Sequence, residues 1–255
     1  MIDNAPLLAL GAALFAAMVI AYGLGFTLHD WLRRGGEDSS TTDESYVLSG
    51  VFGLLALLMA FAFSLAIGRY ETRRELVVAE ANAIGTMTSR LALLDEQQRG
   101  ALTLPLAAYA RARAATGRID NESQWETSAR RDTTLCSGFG DLLFATLRSM
   151  PPDTRGPVLV QAYNEMCDLA TSRHAARKAR LPEGVLVLLA LYCCAGAAML
   201  GYTLGGTGKR HLIASAMFFA LLACAFTTVL DLDRPRGGAI IVPQEELEAV
   251  ARALG

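Results

Sequence analysis

The residues able to do chemistry in this chain gather in two short charged runs and one aromatic stripe. Arg69, Glu71, Arg73 and Arg74 follow one long apolar block, with Glu80 and Asn82 further along, and Asp231, Asp233 and Arg234 follow another. Such charges can pair with one another or line the approach to an ion path. Exposed pairs are weak singly, so either role needs a network. Within the first of these blocks, Phe52, Met59 and Phe63 fall on one helical face with Ala56 between them. A ring of bulky apolar side chains can close a water path by dewetting. The same stripe can equally face lipid or a neighbouring helix, and spacing alone leaves both readings open.

Other chemistry is absent from the pattern. Nothing pairs a nucleophile with a base, cradles phosphate in glycines or sets out HExxH-type ligands. His29, His174 and His211 stand apart near block ends and read as interfacial residues. The five cysteines make no CxxC pair. Cys193, Cys194 and Cys224 lie in apolar blocks, Cys136 and Cys167 lie alone, and all five read as small apolar filler, without a metal or disulfide framework. No enzyme, metal or cofactor is therefore expected. A net charge of −2 gives no electrostatic reason for a nucleic-acid partner.

The elements that must position these residues are set by hydropathy. Four stretches carry no Asp, Glu, Lys or Arg: Pro6 to Leu28, Tyr46 to Gly68, Gly184 to Gly208 and Leu212 to Leu230. Each is roughly the 20 residues that cross about 30 Å of hydrocarbon as a helix. A charge at mid-bilayer costs about 2.5–3.5 kcal/mol, so four such gaps argue for four spans with lipid as the first partner. The absence of ionisable groups inside them argues against proton-coupled pumps and voltage sensors. The first span has no preceding Lys or Arg and is followed by Arg33 and Arg34, which reads as a retained helix rather than a signal peptide.

The expected fold is an all-α membrane protein with a cytoplasmic helical domain inserted between spans two and three. Residues 1–45 hold the first span and a polar loop, Gly35 to Ser45. Residues 46–94 hold the second span, whose helix continues into water because only Gly85 weakens it, until Asp95 caps a new helix. Residues 95–182 repeat apolar positions at helical spacing, with breaks at Gly117 to Glu122 and Met150 to Asp153, where Asp153 offers an N-cap. Residues 183–232 hold spans three and four, joined by the tight basic turn Gly206 to Arg210. Residues 233–255 form a tail with an extended piece, Ala239 to Val242, and an amphipathic helix, Gln244 to Leu254.

Lys and Arg near the span ends favour one side: Arg69, Arg73, Arg74, Arg173, Arg177, Lys178, Arg180, Arg234 and Arg236, against Arg33, Arg34, Lys209 and Arg210. That excess places both termini and the helical domain in the cytoplasm of a bacterial inner membrane. Every span also carries a small-residue stripe: Ala9, Ala13, Ala17, Ala21 and Gly25; Gly53, Ala60, Ser64 and Gly68; Ala197, Gly201 and Gly205; Ala216, Ala220, Cys224 and Thr228. Small residues let membrane helices approach closely. Packing within one bundle accounts for any single stripe, and four stripes leave some for neighbouring copies, so a homo-oligomer is expected.

The run GLLALLMAFAFSLAIGRYETRRELVVAEANAIGT, Gly53 to Thr86, resembles the signature of bacterial bestrophin-like membrane proteins. DLDRPRGGAIIVPQEEL, Asp231 to Leu247, is similar to a second signature of that family, and YNEMCDLATSRHAARKARLP resembles the helix leading into its third span. The resemblance implies a four-span, oligomeric, anion-conducting channel with a hydrophobic neck on the second span. By helix and spacing, the neck would be Phe52, Met59 and Phe63, with small anions as the conducted species and Arg69, Arg73 and Arg74 as the basic mouth. No dense acidic cluster stands where a calcium clasp would be needed. The alternative is a non-conducting scaffold or sensor whose cytoplasmic helices bind a partner protein.

Overall fold

In a computed structural model, residues 6–33, 41–151, 153–207 and 211–255 are described. They form eight α-helices: α1 Leu7–Arg33, α2 Thr41–Leu91, α3 Glu96–Thr116, α4 Glu122–Ser149, α5 Arg155–Lys178, α6 Glu183–Thr207, α7 Leu212–Asp233 and α8 Glu245–Ala253. No strand occurs among the described residues. Four helical stretches, containing α1, α2, α6 and α7, are long and apolar enough to cross a membrane. The expected loop Gly35 to Ser45 lies outside the described residues up to position 40. Thr41 to Ser45 are helical, so α2 starts earlier than the apolar run, because no Pro or Gly interrupts TTDES. Lys209 and Arg210 of the expected basic turn also lie outside the described residues.

Helix α2 runs 51 residues without a break, about 75 Å at 1.5 Å per residue. It stops at Leu91, and Asp95 caps α3 by accepting the Gln98 N–H at 2.8 Å. Asn121 caps α4 by accepting the Gln124 N–H at 3.1 Å. Asp153 accepts the Arg155 N–H at 2.9 Å where α5 begins.

The chain forms two compact units. One comprises Met1–Arg69 with Arg180–Ile240, the other Tyr70–Ala179 with Ile241–Gly255. In the first unit α1 packs on α6 and α7. A Cβ on Gly25 would overlap the Ala198 carbonyl oxygen, and one on Gly201 would overlap that of Tyr22. Two of the small stripes are thus consumed in bringing the α1 and α6 backbones into contact. Met18 is fully buried there, and Tyr22 meets Phe219 edge-on at 5.9 Å. On α2, by contrast, a Cβ on Gly53 or Gly68 would meet nothing within 4 Å.

The second unit has its own core. Val77, Ile84, Met87 and Leu91 of α2 pack with Leu102 and Leu106 of α3, Phe139 and Leu143 of α4, Leu159 and Met166 of α5, and Leu247 of α8. One expectation fails here. Cys136 and Cys167 are not separate fillers: they form a disulfide joining α4 to α5, with Cα atoms 6.8 Å apart. They are separated by 31 positions in sequence, and only the packing of two helices brings them together, so no local spacing signals the pair.

Candidate functional site

The aromatic stripe lies on one wall of an apolar cleft in the four-span unit. Phe52, Leu55, Ala56, Met59, Ala60 and Phe63 of α2 face Phe218, Leu222, Ala225 and Thr228 of α7 across about 620 Å³. Phe52 meets Phe218 edge-on with ring centroids 5.0 Å apart. Phe63 remains 39% exposed, so its ring is the part of the stripe that the chain's own helices leave open. Among residues 46–68, α2 buries Leu55, Ala62 and Ala66, while most of the others are exposed. The cleft holds no ionisable group. Its walls can exclude water and fit apolar surface, and they offer no chemistry for bond making.

The charged residues of the two runs have distinct environments. Arg73 is buried, and its guanidinium donates to the carbonyls of Ala176 at 3.1 Å and Ala179 at 2.8 Å, the last turn of α5. A cation there also meets the negative end of the helix dipole. Glu71 and Arg74 are exposed and Arg69 is half-buried. Asp233 accepts the Leu181 N–H with both oxygens, at 2.9 and 3.0 Å, tying the end of α7 to the approach to α6. Asp231 accepts the N–H groups of Ala239 at 3.2 Å and Ile240 at 3.4 Å, which folds the chain back after α7. Arg234, like Asp233, is buried.

Glu80 lies deeper, with no solvent exposure, at the centre of the helical unit's polar core. One of its carboxylate oxygens is paired with Arg113 Nε, and the other with Arg173 Nη1 at 2.6 Å. Arg113 reaches on to Asp132 Oδ2 at 3.2 Å, and Arg173 donates to Gln244 Oε1. Gln244 in turn donates to the Val242 carbonyl at 3.0 Å. One network therefore ties α2, α3, α4, α5 and the tail. Burial pushes the Glu80 carboxyl up, but the Arg113 and Arg173 charges outweigh that and hold it below its ordinary value. Burial would lower Arg113, and Glu80 more than reverses this, so Arg113 keeps its charge. Asp132 is raised by burial despite Arg113. Beside this cluster, His174 stacks on Trp125 at 4.7 Å and the Arg177 guanidinium lies 4.5 Å from the same ring.

Arg113 and Asp132 were not singled out by sequence, and Arg173 and Gln244 entered it only through orientation and the start of the tail helix. A signal existed for Arg113: it continues the buried α3 stripe of Leu102, Leu106 and Tyr109, where a charge can stay only with a partner. The partner's identity needed the fold.

Four long apolar helices and a second all-helical unit, among the described residues, define a helical integral membrane protein. The chain belongs to the bestrophin-like family: a model described as the Bestrophin-like domain matches residues 12–247. Among solved structures, it is similar to a bacterial bestrophin homologue from Klebsiella pneumoniae carrying a Trp-to-Ala mutation, with a TM-score of 0.73 and 13% identity over 98% of this chain and 97% of that one. A Tyr-to-Ala variant of the Klebsiella pneumoniae homologue gives a TM-score of 0.68 at 13% identity, covering 94% of this chain and 96% of that one. An Ile-to-Thr variant gives 0.67 at 14%, covering 96% and 98%. At these identities the likeness establishes a shared fold. No curated protein matches the chain.

Proposed function

We propose that this protein is one subunit of a homo-oligomeric anion channel in the bacterial inner membrane, with α2 facing the conduit and both termini in the cytoplasm. The observation that carries the reading is the open face of α2. Phe52, Met59 and Phe63 line an apolar cleft, and a Cβ on Gly53 would meet nothing among the described residues within 4 Å. A single subunit without a polar interior cannot enclose a water path, so the conduit lies on an axis between copies. The glycine flank lets α2 helices approach one another, and the aromatic stripe supplies the hydrophobic neck. Arg69 and Arg74 attract anions at the mouth. Arg73, which caps α5, positions the helical unit's α5 against its end of α2. Asp231, Asp233 and Arg234 carry charge at the end of α7 and Glu71 on α2, while Glu80 anchors the core of the helical unit.

Family membership supports the channel reading over an enzyme. A non-conducting scaffold or sensor is the second reading, favoured by the helical unit's self-contained core, which can present helices to a partner protein.

Chloride flux through purified protein in liposomes separates the two. Phe63→Ala should raise the flux about tenfold or more, because trimming the ring lowers a dewetting barrier. Absence of flux from both the parent and the variant, with each shown folded and oligomeric, would favour the scaffold.

A further inference from the structure

The Cys136–Cys167 bridge joins α4 to α5 near the middle of a helical hairpin, each cysteine lying about three to four turns from the bend. The helical unit has a core without it. Leu102 and Leu106 of α3, Leu143 of α4, and Leu159 and Met166 of α5 are all fully buried. The bridge stands at the edge of that core. Cys136 is buried and Cys167 is half-buried, and both line a cavity of about 420 Å³ between α3, α4 and α5.

This setting suits a bond that is made and broken. Partial exposure lets a small thiol or disulfide reach Cys167. The space beside the pair gives reduced side chains room to turn apart, where a close-packed site would hold them together. Cys193, Cys194 and Cys224 stand on α6 and α7, so within the helical unit each cysteine of the pair has only the other. In a cytoplasm, protein disulfides are transient and catalytic or redox-sensing rather than permanent.

The bond acts on α5. That helix supplies Arg173 to Glu80 at 2.6 Å, and its last turn offers the Ala176 and Ala179 carbonyls to Arg73. On α4, Asp132 lies about one turn before Cys136 and pairs with Arg113. A covalent tie between α4 and α5 therefore fixes two arms of the Glu80 cluster. Without it the two helices are held by noncovalent contacts alone, among them Tyr163 against Phe139 and Phe144.

We propose that Cys136 and Cys167 form a reversible thiol–disulfide switch that clamps α5 to α4 when low-molecular-weight disulfide accumulates in the cytoplasm. The Cys167 thiolate attacks one sulfur of that disulfide, breaking its S–S bond, releasing one thiol and leaving a mixed disulfide on Cys167. The Cys136 thiolate then attacks the Cys167 sulfur, which forms the protein bridge and expels the second thiol. The two cysteines lose two electrons to the small disulfide, and their two protons leave on the two released thiols. A dithiol reductant reverses both steps. The switch depends on the cytoplasmic orientation proposed above and is independent of conduction.

Two measurements on the full-length protein test it. In acid-quenched cells, mass spectrometry of the alkylated Cys136 and Cys167 peptides should find both as thiols before a diamide pulse, which converts glutathione to its disulfide. They should be bridged during the pulse and thiols again after recovery. A bridge already present before the pulse would overturn both the switch and the orientation. Thiols that stay free through the pulse, or a bridge that outlasts recovery, would overturn the switch and leave the orientation standing. In purified protein, hydrogen exchange of α5 amides should be about tenfold slower with glutathione disulfide than with dithiothreitol. Cys136→Ser and Cys167→Ala, each shown folded by circular dichroism, should lose that dependence. Equal α5 exchange in the two states of the parent, or a dependence kept in either variant, would overturn the clamp.

Discussion

Glu80 has no contact with solvent, yet two guanidinium groups reach it and keep it ionised. Desolvating a carboxylate is expensive, and only close, well-formed pairing offsets it. Removing the carboxylate would strand Arg113 and Arg173, so Glu80→Ala should destabilise the helical unit by about 3–5 kcal/mol. Acid should act on the same residue. Its folded value is depressed, so its contribution is complete above the ordinary glutamate value of 4.5 and is lost as pH falls through the lower folded value. Asp132 works in the opposite sense: its carboxyl is raised, so its contribution is present below the ordinary 3.8 and fades as pH rises. Thermal melts between about pH 6 and pH 3 should therefore fall more shallowly in Glu80→Gln than in the parent. An acid limb of equal slope in both would show that other groups set the acid sensitivity.

Helix α2 shows why small residues on different elements have different consequences. Gly25 and Gly201 sit where a methyl group would enter a facing backbone, while Gly53 sits in open space. Gly25→Ala should therefore lower the yield and melting temperature of the subunit itself. Gly53→Leu should leave the subunit's helix content and fold intact but reduce oligomer size in size-exclusion chromatography with light scattering. If Gly53→Leu assembles normally, α2 makes its contacts through another face. The small stripes were all visible as sequence, and a four-residue step recurs in each of them. Which of them packed inside the chain depended on which helix lay opposite, and that is set by the bundle rather than by any one segment.

At the scale of the whole molecule, topology and the Cys136–Cys167 bridge constrain each other. Disulfides persist in oxidising compartments and are rare where thioredoxin and glutathione act. The proposed cytoplasmic orientation therefore requires both cysteines to be free thiols in growing cells and to join on purification in air. Acid-quenched cells treated with a maleimide should show both residues alkylated without prior reduction. If reduction is needed first, the helical unit faces the periplasm and the orientation is reversed. In the purified protein, closing a loop of 31 residues should stabilise the oxidised form over the reduced one by about 3–4 kcal/mol, read as a fall in melting temperature with reductant.

The number of spans, the continuation of α2 into a second unit and the Asp95 cap were all legible in the sequence. Each follows from hydropathy, from breaker residues or from local hydrogen bonding, which act over a few neighbouring positions. The family was legible as well, because its motifs are contiguous runs. The Glu80 cluster joins residues from five separate parts of the chain, and the disulfide joins two helices through the helical unit's packing. Burial made those pairings compulsory, since charge cannot stay unpaired away from water. Only the tertiary structure decided which partners came within reach.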